Sequence, residues 1–206
     1  MARVELIPEQ FALVQYDAGV IAGIAEELAA KVGIPDDSPV RIEVDEELPL
    51  PLTGSSVDVA DGRVELWFSG ANFEDGRHRA EFDEALGRAE LAMALFRGRD
   101  RLQPGFGDAP NDEDLTDAQR AAWETWAEGR AVRLGELTRK VRRKYVFRLY
   151  NGFTDFADRV FEKLWAGDHF TWAEIEEMCT ECAAVDPRPR PKAKSGIRKE
   201  TLRAPG

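Results

Sequence analysis

Cys179-Thr-Glu-Cys182 is the only C-x-x-C in the chain. Two thiolates at this spacing supply half of a tetrahedral zinc site, or a redox dithiol. A structural zinc needs two further ligands. The histidines are His78 and His169, and His169 stands ten residues upstream of the pair. A redox dithiol is usually activated at a helix N-terminus. These cysteines instead fall late in a helix that opens at Thr171 and runs to about Ala184. Glu176, Glu177 and Glu181 are close by and would raise a thiol pKa further. Small side chains at i and i+3 also suit a packed helix face. Zinc at Cys179 and Cys182, and burial in a core, both remain open. No disulfide framework can be built from two cysteines so close in sequence, so a reducing compartment is the simpler setting.

A second chemistry is suggested by Arg139, Lys140, Arg142, Arg143, Lys144 and Arg148, six cations within ten residues, interleaved with Tyr145 and Phe147. Cations neutralise phosphates and aromatics stack on bases, so this stretch is a candidate nucleic-acid surface. An acidic protein surface, or the acidic part of the same chain, would suit it equally. Val141, Tyr145, Val146 and Leu149 recur at helical spacing, which predicts that they turn inward and leave the charges solvated.

Ala89-Glu90-Leu91-Ala92-Met93 lies on a helix predicted over roughly Glu81 to Leu102. In His-Glu-x-x-His the two histidines share one helix face and bind zinc, and the glutamate acts as general base on the metal-bound water. The stretch resembles that motif with both histidines replaced. A helix and a twisted sheet precede it, so residues 17–102 resemble a small zincin-like domain of the metallopeptidase fold. The resemblance implies a degenerate metallohydrolase scaffold with Glu90 as its one surviving catalytic-type residue. Alanine cannot ligate a metal and a thioether is a poor zinc ligand. Phe82, Leu86, Ala89, Met93 and Phe96 equally describe one apolar face of an ordinary core helix.

Other chemistries leave no trace. No glycine-rich phosphate loop follows a strand, no serine sits in a nucleophile elbow, and two histidines make a triad improbable. Acidic groups such as Asp45-Glu46-Glu47 and Asp112-Glu113-Asp114 read as solvated loop residues.

These candidates need elements to hold them. Asp17 caps a helix that Gly33 ends. Residues 4–15 hold at most a short strand. Val40 to Glu46 alternates as a strand does, and Asp61-Gly62 joins two alternating runs as a hairpin. Trp67 on that hairpin is expected to pack on the long helix. Thr116 with Gln119, and Thr171 with Glu174, are capping boxes, and Thr154 caps a helix between them. Trp123, Trp126, Trp165 and Trp172, with Phe153, Phe156, Phe161 and Phe170, are expected to form an aromatic core. Strands grouped early and helices late predict an α+β fold: an N-terminal helix and a small antiparallel or mixed sheet with a hairpin, packed on a long helix, then a helical C-terminal half. The 206 residues suit one domain over 1–185, with a sheet-containing half (1–110) and a helical half (111–185). Residues 186–206 are basic, nearly devoid of apolar side chains, and predicted to be disordered.

Charge divides unevenly along the chain. Residues 1–118 carry 10 Lys and Arg against 26 Asp and Glu, whereas residues 119–206 carry 18 against 13. An acidic first half disfavours nucleic acid and anionic membrane as its partners. No apolar run is long enough for a membrane span, and no signal core follows the N-terminus, which predicts a cytoplasmic protein. The reading that follows is a non-enzymatic protein that binds another macromolecule, a protein first, through charge-asymmetric surfaces. Its alternatives are the degenerate zincin-like scaffold, and nucleic-acid binding through the basic helix and tail. No cofactor is expected beyond zinc at the cysteine pair.

Overall fold

The structure is a computed structural model that describes residues 2–48, 50–75 and 77–189. It has a small mixed sheet and, among the described residues, six α-helices, four of them in the C-terminal half. The fold is α+β.

Strand β1 (Val4–Ile7) leads into helix α1 (Ala18–Val32) and then strand β2 (Val40–Asp45). The Asp17 carboxylate accepts from the Val20 amide, and Gly33 takes a left-handed conformation (φ 83°) at the far end. Both ends of α1 are therefore set locally. Strands β3 (Ser55–Ala60) and β4 (Arg63–Ser69) form the hairpin. Asp61 and Gly62 both have positive φ, 51° and 76°. That is the type I′ pattern whose twist matches the flanking strands. The order in the sheet is β1-β2-β4-β3, with β1, β2 and β4 parallel and β3 antiparallel at the edge.

Ile42, Val44, Val57, Val64, Leu66 and Phe68 turn one sheet face toward α1 and toward α2 (Glu84–Arg101). Alternation puts Trp67 on the other face, in register with Glu43 and Ser56. It is buried there, so it does not pack on the long helix as expected. Between β4 and α2 the chain makes a 3-10 turn, Gly70–Phe73, and a short second sheet of β5 (Glu74–Asp75) and β6 (His78–Phe82). The sequence gives no sign of that second sheet. It also shortens α2 at its start, since Glu81 and Phe82 belong to β6.

Helix α3 (Asp117–Arg133) opens with the expected capping box of Thr116 and Gln119. Helices α4 (Lys140–Asn151), α5 (Asp155–Ala166) and α6 (Trp172–Val185) follow, α5 capped by Thr154 and α6 by the box of Thr171 and Glu174. Trp123, Trp126, Phe161 and Trp172 are buried in a second core, with Trp165, Phe156 and Phe170 packed at its edge. Phe153 is half exposed and does not belong to it.

The two cores are not separable at residue 110. Ala127 and Ala131 of α3 belong to the first core, while Trp123 and Trp126 of the same helix belong to the second. A buried ion network also crosses the divide. Asp112 is nearly inaccessible and pairs with Arg97 and with Arg120 (2.8 Å), with Arg101 at 3.6 Å. Asp100 accepts two bonds from Arg130 (2.7 and 2.6 Å) and one from the Trp123 indole (2.8 Å). Asp112 is therefore not the solvated loop residue that its acidic neighbours suggest. No helix among the described residues is long and apolar enough to cross a membrane. Residues 190–206, most of the tail predicted to be disordered, lie outside the described residues.

Candidate functional site

Ala89, Glu90 and Met93 line a cleft of about 800 Å³ bounded by α2, α3, α4 and the residues that precede α2. The apolar stripe running from Phe82 to Phe96 is thus only in part a core face: Phe96 is buried in the first core and Phe82 and Met93 pack against it. Leu91, Ala92 and Leu95 are fully buried against the sheet core. Leu86, Ala89 and Met93 are left to form the apolar part of the cleft wall.

Glu90 sits on the floor. Its carboxylate accepts from Asn72 Nδ2 at 3.3 Å. The orientation of that amide is set from behind, because Asn72 Oδ1 accepts from the Gly54 amide (3.0 Å) and the Ser69 hydroxyl (2.8 Å). Across from Glu90, Arg143 of α4 is clamped to two carboxylates of α3. Its Nη1 donates to Glu124 at 2.6 Å and its Nε donates to Glu128. Arg143 is thereby held as a structural cation, with Met93 Sδ at 3.9 Å as its third neighbour.

Burial raises the Glu90 carboxyl to about 7, aided by Glu124 and Glu128 and opposed by Arg143 and Asn72. A carboxyl that exchanges its proton near neutral pH in an open cleft is a functional-site candidate. It also carries a stability signature. The folded pKa lies above that of the unfolded chain, so between about 4.5 and about 7 the folded state binds more protons. Stability therefore falls as pH rises through that window. Glu90→Gln keeps the Asn72 contact and cannot ionise. It should be more stable than the wild type at pH 8, by about 2 kcal/mol, and about equal to it at pH 4. Urea unfolding at the two pH values checks this, and a gain that does not change with pH would refute it.

The basic helix departs in part from expectation. Arg143, Lys144, Phe147, Arg148 and Asn151 form its inward, partly to fully buried stripe, and Lys140 stays exposed. Lys140 and Lys144 bond Glu162 of α5 (2.7 and 3.1 Å), and Arg148 grips Asp158. Of the apolar residues predicted to be inward, Val146 and Leu149 are partly buried, whereas Val141 is 86% exposed and Tyr145 56%. Leu137 (76%) and Phe153 (53%), which meets the Tyr145 ring edge-on at 6.1 Å, add to the exposed apolar surface. Arg139 and Arg142 are exposed beside it and also line the cleft mouth, with no carboxylate partner among the described residues.

Cys179 and Cys182 are buried in the second core as thiols. Cys179 donates to the Ala118 carbonyl at 3.6 Å, and burial pushes its thiol up to about 12, far from the thiolate that a nucleophile requires. His169 is exposed. Among the described residues no three His, Cys, Asp or Glu side chains are grouped to hold a metal ion. Ala89 supplies no donor and Met93 only a thioether, so that pair does not fit zinc.

The structure brings Glu90 together with Arg139, Arg142 and Arg143 and leaves the cysteines elsewhere. Asn72 and Glu74 come from one turn and Glu124 and Glu128 from α3, two segments that no sequence spacing ties to Glu90. Comparison of the chain with protein-family models, with curated proteins and with solved structures finds no match. The class is accordingly defined by the architecture alone: a mixed-sheet α+β protein with an acidic-floored cleft between its central helix and its C-terminal helices.

Proposed function

We propose that this is a non-enzymatic, cytoplasmic protein that binds a partner protein along α4 and the adjoining rim of the cleft. The observation that carries the reading is the outer side of α4, where Val141 and Tyr145 face solvent while four of the six cations are held by carboxylates of α3 and α5. Exposed aromatic and aliphatic side chains flanked by arginines have the composition of an interface core rather than of ordinary surface. The partner that complements Arg139 and Arg142 carries acidic residues beside an apolar face. Nucleic acid is a poorer match to this surface, since four of the six cations already hold carboxylates.

A photoreactive residue at position 141 should trap one discrete partner in cells. The purified partner should then bind the wild type and lose at least about tenfold in affinity to a Val141→Glu/Tyr145→Glu variant. Both positions are exposed, so the fold should tolerate the change within about 0.5 kcal/mol. A folded variant that binds the trapped protein as tightly as the wild type would sink the reading.

The opening of Ala89, Glu90 and Met93 onto a cleft supports a second reading, the degenerate zincin-like scaffold. On that reading Glu90 is what remains of a hydrolytic site, and the missing ligand residues leave it without the metal.

A further inference from the structure

We infer that the cleft floor binds a primary ammonium group, carried on a small zwitterion whose acid end reaches Arg139 and Arg142. Glu74 is only 3% exposed and lines the cleft. One of its oxygens has the Tyr16 hydroxyl at 3.5 Å, a long contact, and the other is buried with no hydrogen-bond partner. A buried carboxylate oxygen left unpaired is costly, and a donor arriving in the cleft would relieve that cost. Glu90, with its single bond from Asn72, is the second carboxylate of the floor. One short segment delivers Glu74 and the amide that holds Glu90, since Asn72 belongs to the Gly70–Phe73 turn and Glu74 follows it directly.

The local charge balance points the same way. Glu90 is faced by Glu124 and Glu128 of α3, by Arg143 of α4 and by Asn72, with Glu74 on the same floor. Arg143 is consumed by Glu124 and Glu128, and Asp83 is consumed as the N-cap of α2. Among the described residues neither Glu74 nor Glu90 is held in an ion pair, although Arg77 and Arg143 share the cleft and Arg143 acts on Glu90. An ammonium offers three donors on a compact charge, which suits two carboxylates. A divalent metal wants more ligands, and the described residues group no set of three. The apolar wall of Leu86, Ala89 and Met93 leaves room for a short aliphatic chain, and the uncompensated cations lie at the mouth. The ligand so defined has an amine, a few methylenes and a carboxylate, and about 800 Å³ accommodates it.

The site shares Arg139 and Arg142 with the partner surface but not Glu74 and Glu90, nor Val141 and Tyr145, so variants at those positions let the two fail separately. The probes are 6-aminohexanoate, n-butylamine and hexanoate, added to the full chain labelled with carbon-13 at glutamate side-chain carboxyls. Millimolar 6-aminohexanoate should shift the Glu74 and Glu90 signals saturably, and hexanoate should not. Glu74→Gln and Glu90→Gln should each weaken binding by at least about tenfold. Arg139→Ala/Arg142→Ala should weaken 6-aminohexanoate and leave n-butylamine unchanged. Binding should tighten as pH rises through 7, because Glu90 must release its proton to meet the ammonium. Val141→Glu/Tyr145→Glu should retain the site. Unmoved carboxyl signals in the wild type, or hexanoate binding as well as 6-aminohexanoate, would overturn the assignment. Equal affinity for n-butylamine and 6-aminohexanoate would overturn its zwitterionic half.

Discussion

Asp112→Ala is expected to cost about 4 kcal/mol of stability. Three guanidiniums converge on this one carboxylate. Arg97 and Arg101 are nearly inaccessible, and Arg120 is about three-quarters covered. Removing the carboxylate leaves Arg97 and Arg120 without their paired counter-ion and Arg101 with only Asp58, at 4.0 Å. The cost of breaking a buried pair comes mainly from the stranded charge rather than from the lost bond. The same side chain accepts from the Val57 amide (3.3 Å), so the β3 edge also loses a partner. For a chain of this size the change corresponds to a fall of about 10 °C or more in Tm. Asp114→Ala, two residues on and exposed, should stay within about 0.5 kcal/mol of the wild type. Paired calorimetric melts settle the matter. Equal losses for the two variants would show that the network contributes little.

Gly129→Ala should cost about 3 kcal/mol although it replaces the poorer helix former with the better one. A Cβ at position 129 would lie 2.2 Å from the Trp165 carbonyl oxygen, 2.9 Å from its carbon and 3.0 Å from its Cα. The obstacle is backbone at the end of α5, so no rotamer change relieves it. That carbonyl also accepts from Arg133 at 2.7 Å, which ties it further to α3. The two helices must separate, and the second core opens with them. Gly23 in α1 is the natural contrast, being exposed with nothing within 4 Å of an added Cβ. Gly23→Ala should gain between about 0.5 and 1 kcal/mol. Denaturant titration of both variants tests the signs together. A Gly129→Ala variant as stable as the wild type would mean that α3 and α5 approach less closely than the structure shows.

What this chain's sequence determined by itself was local. The Asp17 cap, the boxes at Thr116 and Thr171, and the Asp61-Gly62 turn depend on residues at most three apart, so their geometry is readable from spacing. The α+β class followed from the order of those elements. The tertiary structure decided which faces matter. Two stripes of α4 have helical period, one basic and one apolar. Only the presence of Glu124, Glu128, Asp158 and Glu162 on the neighbouring helices turns the basic one inward. Likewise Ala89 and Met93 could have packed or lined a space. They line the cleft because α2 buries Leu91, Ala92 and Leu95 on the sheet while α3 and α4 stand off its other side. Asp112 reads as loop acid until Arg97, Arg101 and Arg120 surround it. For α4 and Asp112 the deciding energy is the pairing of charges from separate elements, and for α2 it is apolar burial on the sheet. Composition supplies those charges, and only packing brings them within reach of one another.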